Sequence, residues 1–98
     1  MTDYEVEILQ RLYANVIVDI PDAEYLHLHT LGLIDEYGIT VAGVTVLKVL
    51  QGYSQVDYSI LEAPETANLI QLNTYYKWGL IDNFYLTPAG RLVLEGEL

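Results

Sequence analysis

GLIDEYGITVAGVTVL at residues 32–47 recurs as GLIDNFYLTPAGRLVL at residues 79–94, an offset of 47 residues. Nine of the sixteen aligned positions are identical, whereas two unrelated segments of ordinary composition would share about one. The sequence therefore contains an internal repeat. We name residues from about 1 to 50 repeat 1 and residues from about 51 to 98 repeat 2.

The residue types in both copies predict a helix, a tight hairpin and a second helix. Gly32 and Gly79 follow helix-compatible stretches, where glycine can take the left-handed conformation that ends a helix. Short apolar strands then flank turns rich in Asp, Asn and Gly. Thr40 and Thr87 stand at the N-cap position of the following helix. A glycine three residues after each threonine is a poor helix former and indicates that another backbone packs closely there.

Residues outside the repeated stretch predict further elements. Thr2 and Glu5 form a capping-box pattern before an apolar stripe at helical spacing. The predicted elements are a helix over about 3–15, a strand over 16–20, a helix over 22–31, a short helix ending near 62 and a longer helix over 64–78. The residues expected to share one core are Ile34, Ile39, Leu47, Ile81, Leu86 and Leu94.

Composition indicates one folded domain over residues 1–98. Hydrophobic residues make up 52% of the chain and charged residues 18%, unlike a disordered protein. There is no apolar run of bilayer length, the first residues are acidic and cysteine is absent. We therefore expect a cytoplasmic protein that does not bind a membrane.

Charge narrows the possible partners. Fourteen carboxylates accompany four Lys and Arg residues, for a formal net charge of −10. Because binding to a phosphate backbone depends on cationic side chains, direct nucleic-acid binding is unlikely on these grounds. The charge favours a protein partner with a basic surface, although it could also serve only to keep a tyrosine-rich protein soluble.

The repeated motif resembles the wing end of a winged-helix domain, in which a helix, Gly-Leu-Ile, a short hairpin and Leu-Thr-x-x-Gly precede a closing helix. The matching residues are Gly32, Leu33, Ile34, Ile39, Thr40 and Gly43 in repeat 1, and Gly79, Leu80, Ile81, Leu86, Thr87 and Gly90 in repeat 2. The resemblance implies a mainly α fold with short β-hairpins, built as tandem winged-helix-like units in one compact domain.

Two departures separate the chain from DNA-binding members of that family. The family usually has two helices between its first strand and its hairpin, whereas only one fits between Ile20 and Leu33. The resemblance also implies that the helix before each hairpin would contact DNA, yet the segments 22–31 and 65–78 contain a single cation, Lys77. The hairpin tips carry Asp35, Glu36 and Asp82, so the surface that would face DNA is negatively charged and would repel the phosphates.

The sequence contains no convincing catalytic, metal or cofactor constellation. His27 and His29 are two residues apart on a predicted helix and point in different directions. Asp35 and Asp82 have a structural explanation as turn residues. We therefore predict that the chain is not an enzyme and has no cofactor.

Tyrosines supply the remaining candidates, because tyrosine is enriched at protein interfaces. The stripe of Leu72, Tyr75 and Tyr76 is assigned to packing, and the tyrosines at predicted turns to partner binding. The predicted partner-binding residues are Asp35, Glu36, Tyr37, Tyr53, Asp82 and Tyr85.

The functional hypothesis is a small acidic protein-binding module. It would act as a regulator or inhibitor of the kind carried by phages and mobile elements, occupying a basic nucleic-acid-binding surface of a host protein. The alternatives are a winged-helix transcription regulator that contacts DNA and a self-assembling structural protein, including a homodimer.

Overall fold

A computed structural model describes residues 1–96 of the chain. The helices in this part are α1 (Asp3–Tyr13), α2 (Asp22–Thr30), α3 (Val41–Leu50), α4 (Tyr58–Glu62), α5 (Leu69–Lys77) and α6 (Pro88–Glu95), with a short 3₁₀ helix at Pro64–Thr66. The strands are β1 (Ile34–Asp35), β2 (Gly38–Ile39), β3 (Ile81–Asp82) and β4 (Tyr85–Leu86). The predicted class, mainly α with short β-hairpins, is confirmed.

The two copies of the repeat have the same order of elements at corresponding positions. In repeat 1 the antiparallel strands pair Ile34 with Ile39, and in repeat 2 they pair Ile81 with Leu86. Each hairpin is a separate two-stranded sheet preceded and followed by a helix. The predicted helix, hairpin and helix unit is therefore present twice.

One threonine in each copy joins the end of a helix to the start of the next. The Thr40 hydroxyl accepts a hydrogen bond from the Gly43 amide at 3.1 Å and donates one to the Gly32 carbonyl at 2.6 Å. Thr87 makes the equivalent bonds at 3.0 and 2.5 Å. The predicted N-caps are confirmed, and each also closes the base of its hairpin.

Close backbone packing explains the glycine at the third position of α3 and α6. A Cβ atom on Gly43 would lie 2.2 Å from the carbonyl oxygen of Leu33. On Gly90 it would lie 2.0 Å from the carbonyl oxygen of Leu80. Both distances are far below van der Waals contact, so the helix approaches the hairpin this closely only without a side chain.

The strand predicted over residues 16–20 is wrong. This segment forms no strand, and Ile17 is 99% exposed. The segment pairs with neither hairpin, since each sheet has two strands. Its β-branched residues contribute to packing, because Val18 and Ile20 are partly buried against the core.

The long helix predicted over residues 64–78 is also wrong. The 3₁₀ helix ends at Thr66, Ala67 is extended, and α5 begins after Asn68. Asn68 and Gln71 form a reciprocal capping box, which fixes this start. The segments 22–31 and 64–78 predict helices of unequal length, whereas α2 and α5 are both nine residues long. The 47-residue offset therefore extends upstream through both helices.

A single cluster of buried apolar residues spans both repeats. Of the six residues predicted for it, Ile34, Leu47 and Ile81 are buried, whereas Ile39, Leu86 and Leu94 are partly buried and pack against its edge. Helix α1 packs on α3, α4 packs on α6, and α3 packs on α6. The last contact joins the repeats.

A buried carboxylate connects α1 to α2. Glu5 is 3% exposed, accepts hydrogen bonds from the backbone amide and hydroxyl of Thr2, and contacts Nδ1 of His27. Burial raises the pKa of Glu5, but the hydrogen bonds from Thr2 and His27 outweigh it and place the pKa below its ordinary value. The predicted capping box is confirmed.

Among residues 1–96, the helices are all too short or too polar to cross a membrane.

Candidate protein-binding surfaces

The tip of the β1–β2 hairpin is an acidic and aromatic projection. Asp35 accepts a hydrogen bond from the Tyr37 amide at 2.8 Å, which confirms its role as a turn residue. Glu36 is exposed, and Tyr37 is 91% exposed. The tip thus presents a carboxylate and a phenol ring to solvent without support from the core.

Acidic residues of α2 extend this character. Asp22 and Glu24 lie in the first turn of α2, where Asp22 is exposed and Glu24 is half-buried. Residues 22–47 contain four carboxylates and no lysine or arginine. We use the name acidic face of repeat 1 for these four carboxylates, Asp22 and Glu24 at the start of α2 and Asp35 and Glu36 at the hairpin tip. Tyr37 adjoins the two tip carboxylates and adds an exposed aromatic ring.

The other predicted partner-binding residues are exposed but lie elsewhere. Tyr53 is 80% exposed and follows the end of α3. Asp82 and Tyr85 pair across the second hairpin, where Tyr85 is 77% exposed. Since the hairpins are separate sheets, the six predicted residues do not share one sheet face. Their role in binding stays a prediction.

The second hairpin and α5 enclose a surface groove. Leu69, Leu72 and Tyr76 recur at helical spacing along one wall, and Ile81 and Phe84 form the other. The groove has a volume of about 270 Å³. It continues past Phe84 to a second depression lined by Ala67, Asn68, Leu69, Ile70, Leu72 and Phe84. We name the whole the apolar groove of repeat 2.

The walls of the groove are unusually exposed for large apolar side chains. Leu69 is 83% exposed, Ile70 79%, Tyr76 61% and Phe84 56%. The assignment of Tyr76 to packing is therefore wrong, whereas Tyr75 is buried, at 6% exposure, and stacks on Trp78. The helical spacing of apolar residues was visible in the sequence, but it did not show which side of α5 faces the core.

Phe84 lies in a backbone conformation that bulky residues rarely adopt. Asn83 and Phe84 have φ values of 49° and 70°, as in a tight turn with both central residues left-handed, where Asn-Gly is preferred. Tyr37 is the residue of repeat 1 that corresponds to Phe84. Its φ is not positive, and the positive φ in that hairpin belongs to Gly38. Repeat 2 therefore holds a phenylalanine where glycine would be less strained.

The groove lies in the least acidic part of the molecule. Residues 69–94 contain one carboxylate, Asp82, and two cations, Lys77 and Arg91, so their net charge is +1 while the rest of the chain has −11. Helix α5 carries no acidic residue in its first turn, in contrast to α2. The two repeats thus present opposite kinds of surface.

The histidines are engaged in local contacts. His27 contacts Glu5, and the ring of His29 stacks on that of Tyr25 at a centroid distance of 5.7 Å. Among the described residues 1–96, no group of three His, Cys, Asp or Glu side chains is placed to hold a metal ion.

Comparison with protein-family models, with curated proteins and with solved structures finds no match to this chain. The winged-helix resemblance of the repeated motif stays a prediction from the residues themselves.

Proposed function

We propose that this chain is a small protein-binding module whose acidic face in repeat 1 engages a basic surface of another protein. The observation that carries the proposal is the segregation of charge. Four carboxylates and no cation occupy residues 22–47, next to a tyrosine that is 91% exposed. Charge of one sign accelerates association with an oppositely charged partner, and an exposed aromatic ring supplies area that can be buried on binding.

The partner class we propose is a protein that itself binds nucleic acid. Such proteins have basic grooves that accept phosphates, and a carboxylate-rich projection is complementary to them. Occupying that groove would block the nucleic acid, so the module would act as a regulator or inhibitor, in the manner of small proteins from phages and mobile elements. The acidic first turn of α2 and the tip carboxylates argue against direct contact with DNA.

The test is capture from a host lysate by the immobilised protein, followed by competition with nucleic acid. We expect a nucleic-acid-binding protein to be retained at low salt, released as salt rises, and displaced by its own DNA or RNA. Retention of the free module on DNA, or capture that nucleic acid does not reverse, would contradict the proposal.

A pair of variants with equal net charge locates the surface. D22N/E24Q/D35N/E36Q removes the acidic face, and D19N/E62Q/E65Q/E95Q removes four exposed carboxylates elsewhere. Only the first should abolish capture. Both should remain folded, because seven of the eight carboxylates are exposed and Glu24 is half-buried, and charges in contact with solvent contribute little to stability. Equal loss in the two variants would show that net charge alone is responsible.

A further inference from the structure

The apolar groove of repeat 2 leaves more apolar surface in solvent than isolated exposed residues do. Four large apolar side chains each expose more than half of their surface here. Leu69 and Phe84 line both adjoining depressions, Tyr76 lines only the first and Ile70 only the second. Together they present roughly 400 Å² of side-chain surface, the scale at which patches on single chains are often binding sites.

The strained turn at Phe84 is an independent sign that the patch has a role. A left-handed conformation disfavours side chains with a Cβ atom, and the penalty is accepted mostly where the position serves function. Here the side chain held by that turn is one wall of the groove. The equivalent tip in repeat 1 has no such residue, so the fold itself does not require it.

Charge distinguishes between possible occupants of the groove. A basic partner would find carboxylates in repeat 1, whereas residues 69–94 have a net charge of +1. A second copy of this chain faces the opposite situation, because two molecules of charge −10 repel each other at every acidic surface. The groove is where two copies can approach with the least repulsion while both bury apolar surface.

We infer that the apolar groove of repeat 2 is the contact surface between two copies of this chain. The same patch on both copies would meet about a two-fold axis, as in most homodimers. Two patches of this size remove about 800 Å² from water, less than the roughly 1,200 Å² of a stable specific interface, so we expect a weak and reversible dimer with a dissociation constant on the order of 100 µM. The acidic face of repeat 1 belongs to a different segment and would remain free on each copy.

Sedimentation velocity of the full chain over a range of about 1 to 500 µM tests the inference directly. We expect a reversible dimer that becomes tighter as salt rises, because salt screens the repulsion between the copies. Binding to a basic partner should instead weaken with salt. The sign of the salt dependence therefore separates failure of this inference from failure of the proposed function.

Matched substitutions identify the surface. F84N and L69Q change the groove, whereas Y37N and L26Q change the equivalent hairpin tip and an exposed leucine, 67% exposed, in repeat 1. The groove variants should weaken dimerisation at least about tenfold, and the repeat 1 variants should change it by less than about twofold. Because asparagine tolerates positive φ, F84N should keep its thermal midpoint within a few degrees of the parent, about the effect of a small stability change.

A chain that stays monomeric across this range at both low and high salt would overturn the inference. So would a dimer that F84N and L69Q leave intact, since it would use another surface. If F84N loses the dimer because it unfolds, L69Q still tests the inference. Leu69 is 83% exposed and contributes little to the core, so L69Q should stay folded.

Discussion

Repeats 1 and 2 share the residues that fix the backbone and pack in the interior, and they differ in their exposed residues. The threonine caps, the close-packed glycines and the pairing of an isoleucine with a second branched aliphatic residue across the hairpin occur in both. At surface positions 47 residues apart, Asp22 corresponds to Leu69 and Glu36 to Asn83. Residues that fix the backbone are therefore retained, while exposed positions have acquired an acidic face in one copy and an apolar groove in the other.

The retained glycines should show the largest effects on stability. Gly43→Ala and Gly90→Ala each place a Cβ atom about 2 Å from a backbone carbonyl oxygen, which cannot move without displacing the hairpin. We expect each to lower the free energy of unfolding by about 3 kcal/mol or more, measured by urea denaturation. A loss under about 1 kcal/mol in either copy would show that the helix can move away from the hairpin at little cost in stability.

Equivalent leucines should respond unequally, which sharpens the comparison. Leu47 is 1% exposed, whereas Leu94 is only partly buried at the edge of the core. Leu47→Ala should cost about 2 to 5 kcal/mol of unfolding free energy, and Leu94→Ala about half as much. Equal losses, measured under the same denaturant conditions, would mean that the two repeats contribute symmetrically to the core.

The threonine caps should behave alike. Thr40→Ala and Thr87→Ala each remove one bond to a helix amide and one to a glycine carbonyl. We expect each to cost about 1 to 2 kcal/mol by thermal or urea unfolding. Serine at the same positions should recover most of that stability, because it retains the hydroxyl. Failure of serine to do so would assign the effect to the methyl group.

Glu5 gives the stability of repeat 1 a dependence on pH, and the position 47 residues later in repeat 2 is Gly52, which has no side chain. Since the pKa of Glu5 is lowered in the folded protein, its contribution is present above the ordinary value of 4.5 and is lost as pH falls through the folded pKa. As pH falls below 4.5, the free energy of unfolding of the parent should decrease more steeply than that of the Glu5→Gln variant. Parallel pH profiles from urea unfolding would rule this out.

The repeated motif made much of the fold predictable, because glycine, threonine and the turn residues act through local geometry. The same local reasoning failed at Pro64. The prediction placed the helix start at this proline and overlooked the capping box formed by Asn68 and Gln71. Both signals were present in the sequence, and in the structure the capping box sets the start of α5. The prediction from Pro64 therefore started the helix five residues before α5 begins at Leu69.

The candidate sites were less predictable than the fold. Exposure of the tip residues Glu36 and Tyr37 followed from their position in a turn. The apolar groove was missed because an apolar stripe on a helix does not reveal whether it faces a core or solvent. Burial of Glu5 was missed for a related reason, because its contact with His27, 22 residues away in the sequence, depends on the tertiary fold.

The contacts between the two repeats do not require an unbroken chain. The Thr45 hydroxyl donates to the Trp78 carbonyl at 2.9 Å, and Gly79 approaches Ala42 so closely that a Cβ atom would lie 2.7 Å from its side chain. These contacts, with those between α3 and α6, do not depend on the covalent link through the exposed residues 51–53. A protease cut there should leave two fragments that stay associated and that reassemble after separation.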